Sequence, residues 1–285
     1  MGEVSTRTQR RRIQRITVSG DGPAGARADL LAVEEPLEIR IGGKPLTVTM
    51  RTPGDDLDLA AGFLFTEGLL SPAVDLRQIR MCDENVADAT LEVASLPSLA
   101  ALDRATDARR AQRNFLTTSA CGVCGKESID AIRVRSRYDL TADTVQVAPG
   151  VLASLPDRLR EAQRVFASTG GLHAAGLFSA DGTLAVLRED VGRHNAVDKV
   201  IGWALRAGRL PLTGHILLVS GRASFELVQK AAVAGIPVLA AVSAPSSLAA
   251  DLADEVGMTL VGFLRGTSMN GYTALHRLTG VTAPA

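Results

Sequence analysis

Ile216-Leu217-Leu218-Val219-Ser220-Gly221-Arg222-Ala223-Ser224-Phe225 is the stretch whose reading decides the fold. Four consecutive apolar residues end abruptly in a small, polar turn, and a helical pattern then runs from Phe225 to Ala234, closed by Gly235. A strand that is apolar at every position, not at every second one, is covered on both faces. The same order repeats downstream: a strand over Val238 to Val242, an N-cap pair at Ser246-Ser247, a helix to about Glu255 and a strand over Thr259 to Phe263. Upstream, the strand Leu184-Ala185-Val186-Leu187 precedes a helix from Asn195 to Arg206 with Val197, Val200, Ile201, Ala204 and Leu205 on its apolar face. Alternation of strand and helix through short loops predicts an α/β domain around a largely parallel sheet.

Ligands of such sheets bind beyond the carboxyl ends of the strands. The conspicuous polar residues fall there, in Arg188 to His194, Ser220 to Ser224, Ser243 to Ser247 and Arg265 to Asn270. Helix N-termini near Ser224 and Ser247 offer free N–H groups to phosphate oxygens. Together the four loops predict one binding face, with His194, Ser220, Arg222, Arg265 and Asn270 as its candidate contacts. No Gly-x-Gly-x-x-Gly fingerprint or Walker lysine loop is present, which disfavours an ordinary dinucleotide or ATP site. His173 and His194 sit in glycine-rich polar segments and suit ligand contact or base catalysis as well as they suit structural hydrogen bonding. His215, just before a strand, and His276, on an expected final helix, read as structural, and Asp198 reads as a solvated helix position.

The first half of the chain is different. Leu37-Glu38-Ile39-Arg40-Ile41 and Leu46-Thr47-Val48-Thr49-Met50 alternate with period two around Gly42-Gly43-Lys44-Pro45, a hairpin signature. Pro53-Gly54-Asp55-Asp56 opens a helix through Leu59, Ala60, Phe63 and Leu64 that ends near Gly68, and Leu76 to Val93 adds a strand or two. Leu99 to Arg113 reads equally as helix or connector. Ala131 to Arg135 reads as a strand and Pro149 to Ala162 as a helix. The expected organisation is a flexible Arg-rich tail over residues 1–28, a smaller α+β portion over 29–140 and the α/β domain over 141–281. The cluster Arg10-Arg11-Arg12 lacks the apolar segment of an export signal. The apolar run from Ala231 to Ala244 is broken by Gly235 and Pro237, so no membrane span is expected. With 285 residues, 46% apolar content and 31 basic against 31 acidic side chains, the chain can bury a core and carries no global field for nucleic acid. Three cysteines are too few for a disulfide framework, which fits a reducing cytoplasm.

Two of those cysteines share one loop, Thr117-Thr118-Ser119-Ala120-Cys121-Gly122-Val123-Cys124-Gly125-Lys126. A glycine follows each, Arg113 and Lys126 flank the pair, and nearby cations favour the reactive thiolate. Structural zinc would need further ligands, yet no two histidines lie three to five residues apart. A thioredoxin-type pair would open a helix directly after a strand, and no amphipathic helix starts at Cys124. Two incidental buried cysteines fit poorly with the glycines. A nucleophilic or sulfur-carrying thiol is the reading that this loop favours. A thiol–disulfide oxidoreductase using Cys121 and Cys124 stays open as the alternative.

Arg113-Asn114-Phe115 with this loop resembles the cysteine loop of the formate dehydrogenase accessory sulfurtransferase family. The resemblance continues through Met50 to Asp56, Gly62 to Gly68, Ser168 to His173, Arg188 to Lys199, Ser220-Gly221-Arg222 and Met269-Asn270, in order from about Glu34 to Thr273. It implies a cytidine-deaminase-like three-layer α/β domain in a homodimer. It also implies sulfur transfer from a cysteine desulfurase to the bis-molybdopterin guanine dinucleotide form of the molybdenum cofactor, before that cofactor enters formate dehydrogenase. Carried over position by position, Cys121 is the persulfide carrier and Cys124 its companion. Phe263, Leu264, Arg265, Gly266, Thr267 and Ser268 match the cofactor-binding stretch, and guanine nucleotides are then partial ligands. No proline precedes Cys121 or Cys124, so the zinc set of the deaminases is missing and no catalytic metal is expected.

Overall fold

A computed structural model describes residues 7–16, 26–71, 74–94 and 136–281. Cys121, Cys124 and the strand expected at Ala131 to Arg135 lie outside the described residues. Six strands form the main sheet: β7 (His173–Ser179), β8 (Leu184–Asp190), β9 (His215–Val219), β10 (Val238–Ala241), β11 (Thr259–Arg265) and β12 (Ser268–Thr273). Their spatial order is β12-β11-β10-β9-β7-β8. Only β9, β10 and β11 run parallel; β7 enters antiparallel between β8 and β9, and β12 returns antiparallel along β11. The sheet is therefore mixed, with a parallel centre, where the alternation had predicted a largely parallel one. Arg265 to Asn270, read as a loop, is the end of β11, a two-residue turn and the start of β12. The expected final helix is a single 3-10 turn at Leu275–Arg277.

The apolar strands divide by period two. Ala175, Leu177, Leu217, Val219, Leu239 and Ala241 face one core, whereas Ala174, Phe178, Ile216, Leu218, Val238 and Ala240 face another. The second core is closed by α2 (Pro149–Ala162) through Leu152, Leu155 and Leu159. The first is closed by α4 (Arg193–Arg206), α5 (Phe225–Val233) and α6 (Ser247–Glu255). A six-residue helix, α3 (Arg164–Thr169), follows α2 after a break at Gln163. With helices on both faces, the domain has three layers.

The first core continues outward without interruption. A second sheet, β4-β3-β6-β5, is built from β3 (Glu35–Ile41), β4 (Lys44–Arg51), β5 (Val74–Asp83) and β6 (Val86–Val93). It packs Leu37, Ile39, Ala87 and Ala89 against the same cluster, with α1 (Asp56–Thr66) between it and α4. Helices α1 and α4 cross in backbone contact. A Cβ placed on Gly62 would lie 1.9 Å from the Asp198 carbonyl oxygen, and one on Gly202 would lie 1.8 Å from that of Asp58. Ion pairs frame the crossing. Asp58 accepts from Arg188 at 2.7 Å and also from Arg206, and Asp198 accepts from Lys230 at 2.8 Å and Thr66 at 2.8 Å. Asp198 is thus buried and paired, not solvated as its sequence context suggested. The residue ranges expected as two portions share one hydrophobic core.

The tail expectation fails in part. Strand β1 (Thr8–Gln14) pairs antiparallel with β2 (Ala26–Ala32) in a ribbon, tied to the body where Arg7 meets Asp55 at 2.7 Å. Arg10, Arg11 and Arg12 are exposed, so β1 has no buried face and no apolar alternation to betray it.

Candidate functional site

Three loops follow the carboxyl ends of the parallel strands, and hydrogen bonds stitch them into one ledge. The Ser243 N–H donates to the Gly221 carbonyl at 3.3 Å, and the Phe263 N–H donates to the Ser243 carbonyl at 3.1 Å. Arg265 Nε reaches back to the Val242 carbonyl at 3.4 Å. Ser220, Arg222, Phe263 and Arg265 are thereby brought to one edge. Arg222 and Arg265 are exposed there. Phe263 is 41% exposed and holds a left-handed backbone, with φ 52°, at a bulge between Gly262 and Arg265. An aromatic residue in that region is uncommon and costs on the order of 1–3 kcal/mol, a strain that concentrates at functional sites. Leu264 is different: its side chain is fully buried in the second core, so only its backbone reaches the ledge. Gly266 and Thr267 form the exposed turn, Ser268 opens β12 and is exposed too, and Asn270 lies on β12 across from Gly262.

His194 stands at the start of α4. Its Nε2 meets Glu226 at 2.8 Å and the Ser224 hydroxyl at 3.3 Å, which anchors it to the first turn of α5. Both partners share one ring nitrogen, so this is not a relay of the serine-hydrolase kind, which needs a nitrogen for each. The hydrogen bond to His194 holds the Glu226 carboxyl down to about 2. His173 lies behind, its ring against Gly221. Burial lowers its pKa below the usual imidazole value, and Arg193 and His194 lower it further, so the ring is neutral near pH 7.

The carboxylates beside this edge are committed to structure. Glu189 accepts from the Phe166 N–H at 2.8 Å and the Val165 N–H at 3.0 Å, capping α3. Asp190 pairs with the buried Lys199 at 2.7 Å and accepts from the Gly192 N–H at 2.8 Å. Apart from Glu226, an exposed carboxylate paired with His194, the exposed groups of the ledge are cationic and neutral donors. Such a set binds anions and polar heterocycles. Among the described residues no group of three or more His, Cys, Asp or Glu side chains is placed to hold a metal ion. Among them, too, no helix is long and apolar enough to cross a membrane.

Beside the ledge a cavity of about 540 Å³ opens between α2, α3 and the strand ends. Ser220, His173 and Val242 belong to both. Arg160, Gln163 and Phe166 complete its wall, none of them singled out by sequence reasoning. Their one sequence signal is the break at Gln163 between two helical stretches.

The fold and this edge define a three-layer α/β protein whose strand-end loops form one polar ledge. The model of the FdhD/NarQ family matches residues 32–279, and the chain belongs to that family. It is 56% identical over 285 residues to the sulfur carrier protein FdhD of Streptomyces avermitilis, covering 98% of this chain and 97% of the relative. It is 57% identical over 281 residues to that of Mycolicibacterium paratuberculosis, covering 95% and 98%. A crystal structure from Desulfotalea psychrophila, described as a candidate formate dehydrogenase accessory protein, superimposes with TM-score 0.72 at 25% identity, covering 95% of this chain and 99% of that one.

Proposed function

We propose that this protein is a sulfur carrier. In this reading Cys121 takes sulfane sulfur as a persulfide from a cysteine desulfurase and delivers it to the bis-molybdopterin guanine dinucleotide molybdenum cofactor, which is the substrate. The sulfurated cofactor then serves formate dehydrogenase. The reaction runs in the cytoplasm on a homodimer, and Cys124 acts as the companion thiol.

The observation that supports this most is the ledge. A cofactor with two pyrophosphates calls for arginines, hydroxyls and oriented N–H groups, and Ser220, Arg222 and Arg265 stand together at the edge where such ligands bind in α/β folds. No carboxylate side chain among Phe263 to Asn270 opposes an anion. The carrier chemistry follows from the thiols: a thiolate attacks the donor persulfide, a new S–S bond forms at Cys121, and the donor leaves as a thiolate.

Mass spectrometry tests the carrier step. After incubation with a cysteine desulfurase and cysteine, the Cys121 peptide is expected to gain about 32 Da, one sulfur atom. An unmodified peptide under conditions that persulfidate a control carrier refutes the assignment. A Cys121–Cys124 disulfide formed in its place favours the oxidoreductase reading. For the ledge, Arg265→Ala is expected to weaken GDP binding by about 1.5–3 kcal/mol, the range of a hydrogen bond to a charged group. Calorimetric titration measures it, and wild-type affinity in the variant removes Arg265 from the site.

A further inference from the structure

No described side chain of β1 or β2 belongs to either hydrophobic core, yet the ribbon they form is regular. The seven residues of β1 pair with the seven of β2 without a bulge, from Thr8 opposite Ala32 to Gln14 opposite Ala26. A two-stranded ribbon is marginally stable at best by itself in water. This one is held at its base, where the Val33 N–H donates to the Arg7 carbonyl at 2.9 Å and Arg7 pairs with Asp55 at 2.7 Å. Almost all of it precedes residues 32–279, which match the family model. Neither the thiols nor the ledge accounts for it.

Its charge is concentrated. Arg10, Arg11 and Arg12 are consecutive and exposed, and along a strand such neighbours project to alternate faces. None of the three has an ion-pair partner among the described residues. Asp29 stands directly opposite Arg11 in the register, but its carboxylate accepts from the Leu30 N–H at 3.1 Å and forms no ion pair with Arg11. Apolar surface lies close by: Leu31 is 44% exposed, and Ile16, two residues past the end of β1, is 83% exposed. Among the described residues β1 has a strand partner on one side only. Its other edge is a row of unpaired N–H and C=O groups, the template that strand addition uses.

The charges decide which chain can add there. A second copy of β1 pairing antiparallel about Arg11 would set Arg11 opposite Arg11 and Arg10 opposite Arg12, and like charges directly across are destabilising. A nucleic acid would find no aromatic side chain on β1 or β2 for its bases to stack on, and would leave Ile16 and Leu31 uncovered. An acidic segment in extended conformation places a carboxylate opposite each guanidinium, whose planar fork of donors matches it.

We propose that β1 is a docking strand for another protein, which adds an extended segment bearing three consecutive acidic residues to the free edge. Main-chain hydrogen bonds align that segment, and Arg10, Arg11 and Arg12 select it by charge.

The probe is a fluorescent peptide, Thr-Val-Glu-Glu-Glu-Val-Thr, compared by anisotropy with Thr-Val-Gln-Gln-Gln-Val-Thr against the full-length protein at low salt. The acidic peptide is expected to bind about three- to hundredfold tighter, the range of three exposed ion pairs. That difference is expected to shrink in about 1 M salt, where charges are screened beyond about 3 Å. Joint Arg10→Glu, Arg11→Glu and Arg12→Glu substitution is expected to reverse the preference, toward Thr-Val-Lys-Lys-Lys-Val-Thr, a result that lost folding cannot imitate. Equal affinity for the acidic and neutral peptides, or no reversal, overturns the proposal. Tighter binding of an oligothymidylate than of the acidic peptide overturns it in favour of nucleic acid. Joint Arg10→Gln, Arg11→Gln and Arg12→Gln substitution separates docking from mere protection of an open edge. Docking predicts that the peptide preference is lost at unchanged mass in sedimentation. A glutamine variant whose mass falls places a second copy on the strand. A wild-type protein without the preference, whose glutamine variant self-associates, shows that the arginines only keep copies apart. Either result overturns the proposal.

Discussion

Gly202→Ala is expected to destabilise the protein by about 3 kcal/mol or more, a large effect for one methyl group. Helix propensity alone favours alanine over glycine by about 1 kcal/mol in a helix interior. Here the new Cβ would lie 1.8 Å from the Asp58 carbonyl oxygen, which belongs to backbone and has no rotamer to escape into. Helices α1 and α4 would have to separate, loosening the ion pairs of Asp58 and Asp198 that frame the crossing. Overpacking of a well-filled core costs about 1–3 kcal/mol, occasionally more, and sterics therefore win. Gly150→Ala is the control: it lies in α2 with open space where its Cβ would go, and is expected to be neutral or to stabilise by up to about 1 kcal/mol. Urea denaturation of the three proteins measures the difference. A Gly202 variant as stable as wild type would mean that the two helices do not meet at these glycines.

What was legible in the sequence follows from burial. β9, α5, β10, α6 and β11 were read nearly to the residue because their strands are buried on both faces and Ser246 caps α6 through a hydrogen bond to the Ala249 N–H. β7 went unread. Its Ala174-Ala175-Gly176 has little strand propensity, and it is a strand because two neighbours pair with it. Missing β7 is what made the sheet look largely parallel. β12 was hidden for another reason: as an edge strand it is mostly exposed, so its polar residues resemble a loop.

Within the site, the stitched ledge was legible because turn residues gather after apolar runs. The cavity was not. Arg160, Gln163 and Phe166 come from two helices and acquire meaning only when the chain breaks at Gln163 and brings them beside Ser220 and His173. Asp198 looked like a solvated helix position, yet it is buried, as are Asp190 and Lys199. Their burial reflects pairing with distant partners such as Thr52, whose carbonyl accepts from Lys199 at 2.8 Å, and a spacing pattern carries no trace of such a partner.

Cys121→Ala is expected to remove sulfur delivery altogether. The test is complementation: in a strain lacking its own copy, the variant should leave formate dehydrogenase activity at the level of the empty vector. The reason is stoichiometric. A persulfide needs a sulfur atom at the carrier position, and alanine supplies none. Cys121→Ser should fail equally, since a hydroxyl is not ionised near neutral pH as an activated thiol is. The cost to folding should be small, within about 0.5 kcal/mol, because Thr117 to Lys126 holds one large apolar side chain, Val123, and substitutions away from core features stay in that range. Unchanged GDP binding would show that the variant is folded while inactive. Cys124→Ala separates the two thiol chemistries. A carrier keeps measurable activity without its companion thiol, whereas a disulfide cycle consumes both sulfurs and stops when either is lost. Equal and complete loss in both variants therefore favours the dithiol reading. Full complementation by Cys121→Ala refutes the carrier assignment, whatever the ledge binds.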